Sequence, residues 1–415
     1  MADDPVRSQY EAYPYPVRDP ADERRRLIVG SPSHLDELNH HVFGGKMDFT
    51  RPWRMLAAGG GTGDAAIMMA QQLADRAPAS EVLYIDIADG ARRIAEARAQ
   101  ARGLRNIRFR RLSLLELDPA EVGRFDYIDC CGVLHHLADP AAGLRALTGV
   151  LADDGGLGLM LYAPHGRDGV YPMQAMLRTV AAHGAITDDR RLDITRRLLR
   201  QLPDTHPLKR NPFLRDHLEQ GDAGLYDLFL HARDRPFTVP ETLALCHDAA
   251  LRVTTFIEPA FYDPLTFLAD PILRTRVQAL SREDRWAFAE RLAGAMRKHV
   301  FYAVRAANPV TPPAPDDPAA VPVLRDVDGP AVARQLQPGV ALTVGFEGIS
   351  LRLPLPPLAG AILRRIDGRR SLAEIGAGFA AEPDVFFRQF GQLHATLNGI
   401  GKLYLARPPV PLPPH

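Results

Sequence analysis

The sequence has little cysteine and no net charge. Only three of its 415 residues are cysteines, and two of them, Cys130 and Cys131, are neighbours in an apolar run that is distant from Cys246. This spacing offers neither a disulfide framework nor a C-x-x-C metal site. Lysine plus arginine and aspartate plus glutamate number 50 each, so no overall field attracts nucleic acid or an anionic membrane surface. The composition predicts a protein of a reducing, intracellular compartment.

Long apolar runs are also missing from the sequence. None approaches the ~20 residues that a membrane span needs. The N-terminal stretch MADDPVRSQYEAYPYPVRDP is acidic, proline-rich and aromatic, whereas a signal peptide has a basic segment followed by an apolar one. These absences predict a cytoplasmic protein that does not contact a membrane.

A typical domain has roughly 100 to 200 residues, so a chain of 415 residues predicts more than one domain. A change in composition near residue 308 predicts that there are two. A proline-rich stretch at 308–322 is predicted to be the linker between them. Over residues 53–307, short apolar runs alternate with helical patterns, which predicts an α/β fold with a doubly wound, Rossmann-like sheet of seven strands. Within it, a helical insertion is predicted at about 165–237. Residues 1–52 are predicted to form an N-terminal arm or lid.

After the linker, residues 323–407 predict a small α+β unit. A helix, an Asp-Gly turn and a second helix are followed by a third helix and a short strand, KLYLARP. The second helix begins with a Ser-x-x-Glu capping box formed by Ser371 and Glu374. This order is winged-helix-like, and the final residues, 408–415, are predicted to be a disordered polyproline tail.

The densest glycine run is LAAGGGTGD at residues 56–64, directly after an apolar stretch. In an open parallel sheet a ligand binds here, where the first strand turns into its helix. A dinucleotide fingerprint needs a third glycine where this chain has Asp64, and a Walker loop needs Gly-Lys at the same place. Because the Asp64 carboxylate is predicted to lie where phosphates bind, the loop favours a ligand without phosphate. The backbone at Gly59, Gly61 and Gly63 allows that ligand to approach closely.

A second signal stands at the end of the next predicted strand, VLYIDI, where Asp86 follows apolar residues. A carboxylate in this position accepts hydrogen bonds from both ribose hydroxyls, which indicates a nucleoside. The alternative is that Asp86 only caps a helix. A nucleoside that carries an amino acid and no phosphate is S-adenosyl-L-methionine, so this is the predicted cofactor.

At these residues the chain resembles the class I S-adenosylmethionine-dependent methyltransferases, over roughly residues 56–306. The resemblance is carried by the glycine loop, by Asp86, by NIRFRRLSLLEL and, most specifically, by FDYIDCCGVLHHLADP. It implies methyl transfer from S-adenosyl-L-methionine. It also implies a set of cofactor-binding residues at the ends of the first four strands: Gly59, Gly61, Gly63, Asp86, Ile87, Ser113, Leu114, Cys131 and Gly132.

Two positions depart from the pattern of that family. Ala57 stands where the family has an acidic residue, and Ser113 stands where it has an aspartate facing the adenine amine. The methionyl amino group is therefore expected to be bound elsewhere, by backbone carbonyls near Cys131 and Gly132. The same two departures support an alternative function, a non-catalytic regulatory protein that keeps the cofactor fold.

Candidate catalytic residues come from the loops that follow the strands. His135 and His165 follow the fourth and fifth strands, and imidazole is the side chain best suited to accept a proton near neutral pH. Of the neighbours His135 and His136, the first is predicted to face the cleft, although both could simply bond to backbone at a helix start. Tyr15 is predicted to fold over the cofactor, or else to pack the arm onto the domain. No metal site is predicted, because the histidines lack a recognised ligand spacing.

The methyl acceptor is predicted to be a small molecule or a peptide or protein side chain, since the helical insertion occupies the place where this family builds acceptor specificity. The C-terminal unit resembles the winged-helix (PqqD-like) domains that hold peptides in ribosomal-peptide maturation. Its arginines at 364, 365, 369 and 370 are clustered, but nucleic acid is an unlikely partner at the small net charge of this unit. A homo-oligomer is a further possibility.

Overall fold

The computed structural model describes residues 5–30, 32–182, 187–336, 341–346, 348–380 and 382–408. Within them, seven strands form one sheet in the order β3-β2-β1-β4-β5-β7-β6. These strands are β1 (Arg54–Ala58), β2 (Glu81–Asp86), β3 (Ile107–Arg111), β4 (Phe125–Cys131), β5 (Leu151–Tyr162), β6 (Leu251–Ile257) and β7 (Lys298–Arg305). The predicted seven-stranded sheet is confirmed as a mixed sheet. β7 runs antiparallel to both β5 and β6, whereas the pairs among β1 to β5 are parallel.

Helices cover both faces of the sheet, as a doubly wound architecture requires. In the first 300 residues the described helices are α1 (Pro5–Ala12), α2 (Leu35–His41), α3 (Asp64–Arg76), α4 (Asp89–Arg102), α5 (Pro119–Val122), α6 (Pro140–Gly149), α7 (Val170–Ala181), α8 (Asp188–Gln201), α9 (Pro207–Arg210), α10 (Asp216–Glu219), α11 (Gly221–Leu225), α12 (Val239–Asp248), α13 (Pro271–Gln278) and α14 (Arg282–Ala293). Short 3₁₀ turns occur at Pro20–Arg24, Leu114–Glu116, Leu134–His136, His165–Arg167, Pro259–Tyr262 and Pro264–Thr266, and a π-helical turn at Tyr226–Leu230.

Alternation along the central strands produces two cores. In β1, Leu56 joins the core beneath α6 and α12, while Ala57 joins the core beneath α2 and α3. The two side chains point to opposite faces because successive residues of a strand alternate. The central strand β1 is therefore buried on both faces, which is the arrangement that the sequence predicted for the sheet.

Helices lie between β5 and β6, where the sequence predicts an insertion, and they share a core of their own around Met173, Leu192 and Phe229. A buried ion pair anchors its last segment to the end of β5. The Arg167 guanidinium lies 2.9 Å from the Asp234 carboxylate and 3.7 Å above the ring of Tyr162. The insertion is thereby held next to the carboxyl edge of the sheet.

The arm is attached across the carboxyl edge through several polar contacts. The Glu11 carboxylate accepts hydrogen bonds from the backbone N–H groups of Asp89 and Gly90 at the start of α4. Glu23 is fully buried against Arg98 on the same helix, at 2.6 Å. Since α4 follows β2, these contacts place residues 5–30 directly over the glycine loop.

The C-terminal unit has a separate core that includes Ile362, Phe390 and Leu403. Its described elements are β8 (Val321–Leu324), α15 (Gly329–Gln335), β9 (Ala341–Phe346), β10 (Ile349–Pro354), α16 (Ala359–Leu363), α17 (Leu372–Gly376), α18 (Pro383–Gly399) and β11 (Leu403–Ala406). The three predicted helices, the capping box of Ser371 and Glu374 and the last strand are confirmed. The β9–β10 hairpin precedes these helices and β11 pairs with β8, so the winged-helix assignment stays a prediction. Of the predicted tail, residues 409–415 lie outside the described residues.

The stretch predicted as a linker packs against both the sheet domain and the C-terminal unit. On the sheet side, the Arg252 guanidinium donates to the backbone carbonyls of Asn308 and Val310 at 2.7 and 2.6 Å. On the other side, the N–H of Leu372 donates to the carbonyl of Ala320 at 2.8 Å. Further contacts join α2 to the C-terminal strands: Glu37, 1% exposed in its side chain, is 3.2 Å from Arg325 and accepts a 3.0 Å hydrogen bond from Tyr404. The C-terminal unit is thus in polar contact with the sheet domain.

In the part of the chain that the structure describes, none of the helices combines the length and the apolar composition needed to cross a membrane.

Candidate active site

A cavity of about 400 Å³ opens at the carboxyl ends of β1, β2 and β4, within the size range of small-molecule sites. All nine residues predicted to bind the cofactor line this cavity, together with Tyr15 from the arm. The structure therefore brings together residues that are spread over more than a hundred positions of the sequence. Other lining residues come from the arm, from β5 and from the insertion.

The glycine loop is shaped by its neighbours. Gly63 has a φ of +102° and is the residue before α3, a conformation that favours glycine. At Gly60 a side chain would collide with the ring of Tyr84, because a Cβ atom built there lies 2.3 Å from it. The Tyr84 hydroxyl also donates to the Gly61 carbonyl at 2.6 Å. The loop is thus held open on its cavity side.

Asp86 ends β2 beneath this loop. Its carboxylate accepts hydrogen bonds of 2.8 Å from the backbone N–H groups of Gly61 and Ala88. Burial raises the pKa of Asp86, and those backbone hydrogen bonds oppose the rise. A carboxylate has lone pairs for about four donors, so Asp86 can still accept the two ribose hydroxyls that the sequence predicted.

Asp64 does not present a bare charge to the ligand. Its carboxylate is 2.7 Å from Arg18 of the arm and 2.6 Å from Arg98 of α4. Burial acts to raise the pKa of Asp64, but the hydrogen bonds from both arginines outweigh it and the pKa is lowered. The expectation that Asp64 repels phosphates is therefore not supported, because two guanidinium groups neutralise it.

The far end of the cavity is polar. Asp227, from the π-helical turn of the insertion, accepts hydrogen bonds from the hydroxyls of Tyr10 at 3.1 Å and Tyr162 at 3.2 Å. Burial and the nearby Asp227 charge raise the pKa of both tyrosines well above the usual value. Burial also raises the pKa of Asp227 itself. The sequence analysis missed Asp227 as a functional residue, and among the tyrosines of the arm it selected Tyr15 and not Tyr10.

His136 lies at this polar end, on the cavity wall. Its Nδ1 is 2.6 Å from the backbone carbonyl of Arg233. A carbonyl can only accept, so Nδ1 carries the proton and Nε2 has the lone pair. This Nε2 atom is buried and has no hydrogen-bond partner in the described structure. Burial lowers the pKa of His136, so the ring is neutral at neutral pH and can accept a proton.

The structure places the two predicted histidines elsewhere. His135 is buried behind the wall, with its ring 4.0 Å from that of Tyr162, and it is not among the cavity-lining residues. His136, which ends the 3₁₀ turn over Leu134–His136, lines the cavity instead. His165 is exposed and also lies away from the wall. The expectation that His135 faces the cleft and His136 does not is therefore wrong.

His136, Asp227 and His231 offer three ligand atoms within 4.8 Å of one another. The two imidazole rings are stacked, with centroids 3.6 Å apart and planes at 15°. A metal binds in the plane of each ring at about 2.0–2.1 Å, and two nearly parallel planes cannot share one such ion. The Nδ1 of His231 also accepts from the N–H of Arg233, which leaves the proton on Nε2. The cluster fits a hydrogen-bond network better than a metal centre.

A family model described as a methyltransferase domain matches residues 56–157. An uncharacterised protein of Synechococcus sp. is 31% identical over 309 residues, which are 73% of this chain and 72% of that protein. The chain belongs to one family with this uncharacterised protein, and its residues 56–157 belong to the methyltransferase domain family. This finding favours an enzyme over the non-catalytic alternative.

Two further comparisons cover this methyltransferase in different ways. Demethylmenaquinone methyltransferase of Thermus thermophilus is 37% identical over 27% of the chain, and the match spans 49% of that enzyme. PKMT2 from Rickettsia typhi, solved in complex with AdoHcy, covers 96% of this chain and 76% of its own, with a TM-score of 0.59 and 15% identity. The first match covers about a quarter of the chain, and the second shows that the fold is shared along nearly the whole chain.

Methyltransferases of this class use S-adenosyl-L-methionine, which is therefore the cofactor of this chain. The residues present fit it, since the cavity has the volume of a small-molecule site and a buried carboxylate, Asp86, lies beside a glycine loop. Asp86 is suited to the ribose, and Ile87, Ser113 and Leu114 form the wall beyond it.

Replacing Asp86 with alanine should weaken the binding of S-adenosylhomocysteine, the demethylated product. Hydrogen bonds to a charged group contribute about 1.5–3 kcal/mol, which corresponds to an affinity loss of roughly 10- to 150-fold. Isothermal titration calorimetry measures this loss directly. An unchanged affinity would mean that Asp86 serves only the backbone of Gly61 and Ala88.

Proposed function

We propose that this methyltransferase transfers a methyl group to a hydroxyl oxygen of its acceptor, with His136 as the general base. The observation that carries the proposal is the tautomer of the His136 ring. Its Nδ1 proton is committed to the Arg233 carbonyl, the lone pair of Nε2 has no hydrogen-bond partner in the described structure, and the residue lines the polar end of the cofactor cavity. A hydroxyl nucleophile must lose a proton as it bonds to carbon, and a base positioned for that proton assists the reaction.

Asp227 supports this role. The ligand atoms of His136 and Asp227 lie within 4.8 Å of each other, so the carboxylate stabilises the positive charge that His136 gains with the proton. Tyr10 and Tyr162 hold Asp227 in place through its two oxygens. The two hydroxyls keep their protons and act as donors, because burial raises the pKa of both tyrosines.

The rest of the mechanism is alignment and exclusion of water. When bound, the cofactor supplies a methyl group already activated by its sulfonium, so the chain needs only to orient the acceptor for in-line attack and to exclude water. Val6 and Tyr10 of the arm line the cavity next to Tyr162 and Asp227 of the sheet domain. Of the two acceptor classes predicted from the sequence, a cavity of about 400 Å³ favours a small molecule.

The acceptor atom can be tested with cofactor that carries a labelled methyl group. Sets of phenols, alcohols, amines, thiols and carboxylic acids of matched size are offered to the purified enzyme, and the products are identified by mass spectrometry. We expect label in methyl ethers, which survive mild alkali. Transfer only to amines or thiols, or into alkali-labile methyl esters, would contradict the proposal.

A further inference from the structure

The amino acid end of the cofactor needs a partner for its ammonium group. Ala57, which replaces the acidic residue of the family, is fully buried in the core beneath α2 and α3 and does not line the cavity. Its methyl group can neither accept a hydrogen bond nor balance a charge. Any carboxylate that serves the ammonium group must therefore come from another strand.

Asp129 on β4 occupies the corresponding place on the neighbouring strand. In the parallel pairing of β1 with β4, the Cα atom of Ala57 is the partner of that of Asp129. Residues paired in register project from the same face of a sheet, so Asp129 is the lateral neighbour of the missing acid. Unlike Ala57, it lines the cofactor cavity, although only 4% of it is exposed.

The charge of Asp129 has no counterion in the described part of the chain, where no lysine, arginine or histidine forms an ion pair with it. Its contacts are with neutral groups: the Ser33 hydroxyl donates to Oδ2 at 2.6 Å, and the Cys131 thiol lies 3.6 Å from the same atom. Buried carboxylates are seldom left without a cation or a metal. An uncompensated carboxylate on the wall of a cofactor cavity therefore points to a cationic ligand group.

Ser33 is held in an unfavourable conformation to make this contact. It is fully buried with a φ of +93°, a region that residues other than glycine rarely adopt. Its N–H donates to the Tyr302 hydroxyl at 3.1 Å, and its carbonyl accepts from the Gln72 amide at 3.0 Å. These bonds fix the hydroxyl that orients the carboxylate of Asp129.

We propose that Asp129 binds the ammonium group of the cofactor's methionyl moiety, in place of the acidic residue that this chain lacks at position 57. A carboxylate accepts about four hydrogen bonds, so the bonds from Ser33 and Cys131 leave room for an ammonium donor. Ser33 is the positioning residue. This assignment replaces the backbone carbonyls near Cys131 and Gly132 that the sequence analysis expected to serve the amino group.

The test compares two ligands by calorimetry on the full chain. S-adenosylhomocysteine carries the ammonium group, and 5′-methylthioadenosine lacks the whole amino acid moiety. The Asp129→Asn variant should bind S-adenosylhomocysteine about 10- to 100-fold more weakly, the scale of a hydrogen bond to a charged group. Its affinity for 5′-methylthioadenosine should stay within about threefold of the wild type, which would also show that the cavity is intact.

A second variant, with the charge retained, completes the comparison of the two ligands. The Asp129→Glu variant, which keeps the charge, should recover part of the selectivity for S-adenosylhomocysteine. Equal weakening of both ligands in Asp129→Asn would assign Asp129 a purely structural role, and no weakening of either would also overturn the proposal. Because only cofactor affinity is measured, failure here is distinguishable from failure of the hydroxyl-transfer proposal.

A pH series provides an independent readout. Burial raises the pKa of Asp129 to about 6, against the opposing hydrogen bonds from Ser33 and Cys131. The carboxylate binds a cation only when ionised, so wild-type affinity for S-adenosylhomocysteine should fall as the pH drops through 6. Asp129→Asn should lack this step, and a step of the same size in that variant would contradict the proposal. Other titratable or charged groups near this carboxylate are Tyr127, Cys130, Cys131, Tyr302, Glu37 and Lys298.

Discussion

The His136→Gln variant should have a kcat roughly 10²- to 10⁴-fold below that of the wild type, the usual scale of general base catalysis. Its affinity for S-adenosylhomocysteine should be unchanged, because His136 lies at the acceptor end of the cavity, with Tyr10 and Asp227 rather than with Asp86. Glutamine retains an N–H that can donate to the Arg233 carbonyl, so the local fold is preserved. Steady-state kinetics with an acceptor that the wild type methylates give kcat, and calorimetry gives the affinity for S-adenosylhomocysteine.

Two histidine variants serve as controls for this experiment. His247→Gln changes a side chain that is 90% exposed on α12, and it should leave kcat and KM unchanged. His165→Gln tests the assignment made from sequence, since His165 follows β5 but lies outside the cavity wall. A loss of kcat in His165→Gln but not in His136→Gln would mean that the insertion moves before catalysis and that the base has been misassigned.

The pH profile carries the same information. Burial lowers the pKa of His136 below its ordinary value of 6.5. The ring therefore remains unprotonated at a pH at which an exposed histidine would take up a proton. The base is lost only as the pH falls through the lowered pKa. The kcat of the wild type should therefore be flat around neutrality and should decline on the acid side of 6.5.

The Arg325→Ala variant should lower the free energy of unfolding by about 3 kcal/mol, at the lower end of the range for removing one partner of a buried ion pair. Glu37 is left 1% exposed without its cation, although the hydroxyls of Tyr302 and Tyr404 still donate to it. Denaturant unfolding monitored by circular dichroism measures the change. The effect should be seen in the unfolding of the sheet domain, because Glu37 belongs to α2.

Arg364→Ala is the matched control, since Arg364 is an exposed arginine of the same unit and such substitutions usually change stability by less than about 0.5 kcal/mol. The double variant Glu37→Gln/Arg325→Ala should be more stable than Arg325→Ala alone, because the uncompensated charge is gone. If Arg325→Ala is as mild as Arg364→Ala, the two units do not depend on this ion pair.

The cofactor half of the site could be predicted from the sequence because its signals are local. The glycine run follows one apolar strand, and Asp86 follows the next. Because parallel strands end at the same edge of a sheet, this order alone predicts that the two features meet there. Asp129 escaped this reasoning although it lies within a recognised motif. Its significance depends on the register between β1 and β4, which a single strand does not reveal.

The acceptor half could not be predicted in the same way. Tyr10 and Asp227 are separated by 217 positions, and neither follows a strand of the sheet. Their meeting depends on how the arm and the insertion pack, which hydrophobic periodicity does not encode. The choice between His135 and His136 was likewise set by one 3₁₀ turn, whose rotation differs from that of the helix assumed from the sequence.

The arm that lies over the glycine loop has a thermodynamic consequence. Tyr10, Tyr15 and residues 28–30 form part of the cavity wall, so a ligand in the cavity touches the arm and the sheet together. A ligand that binds only the closed arrangement stabilises it in proportion to the logarithm of its concentration. Protection of backbone amides in the arm against hydrogen exchange is therefore linked to cofactor concentration.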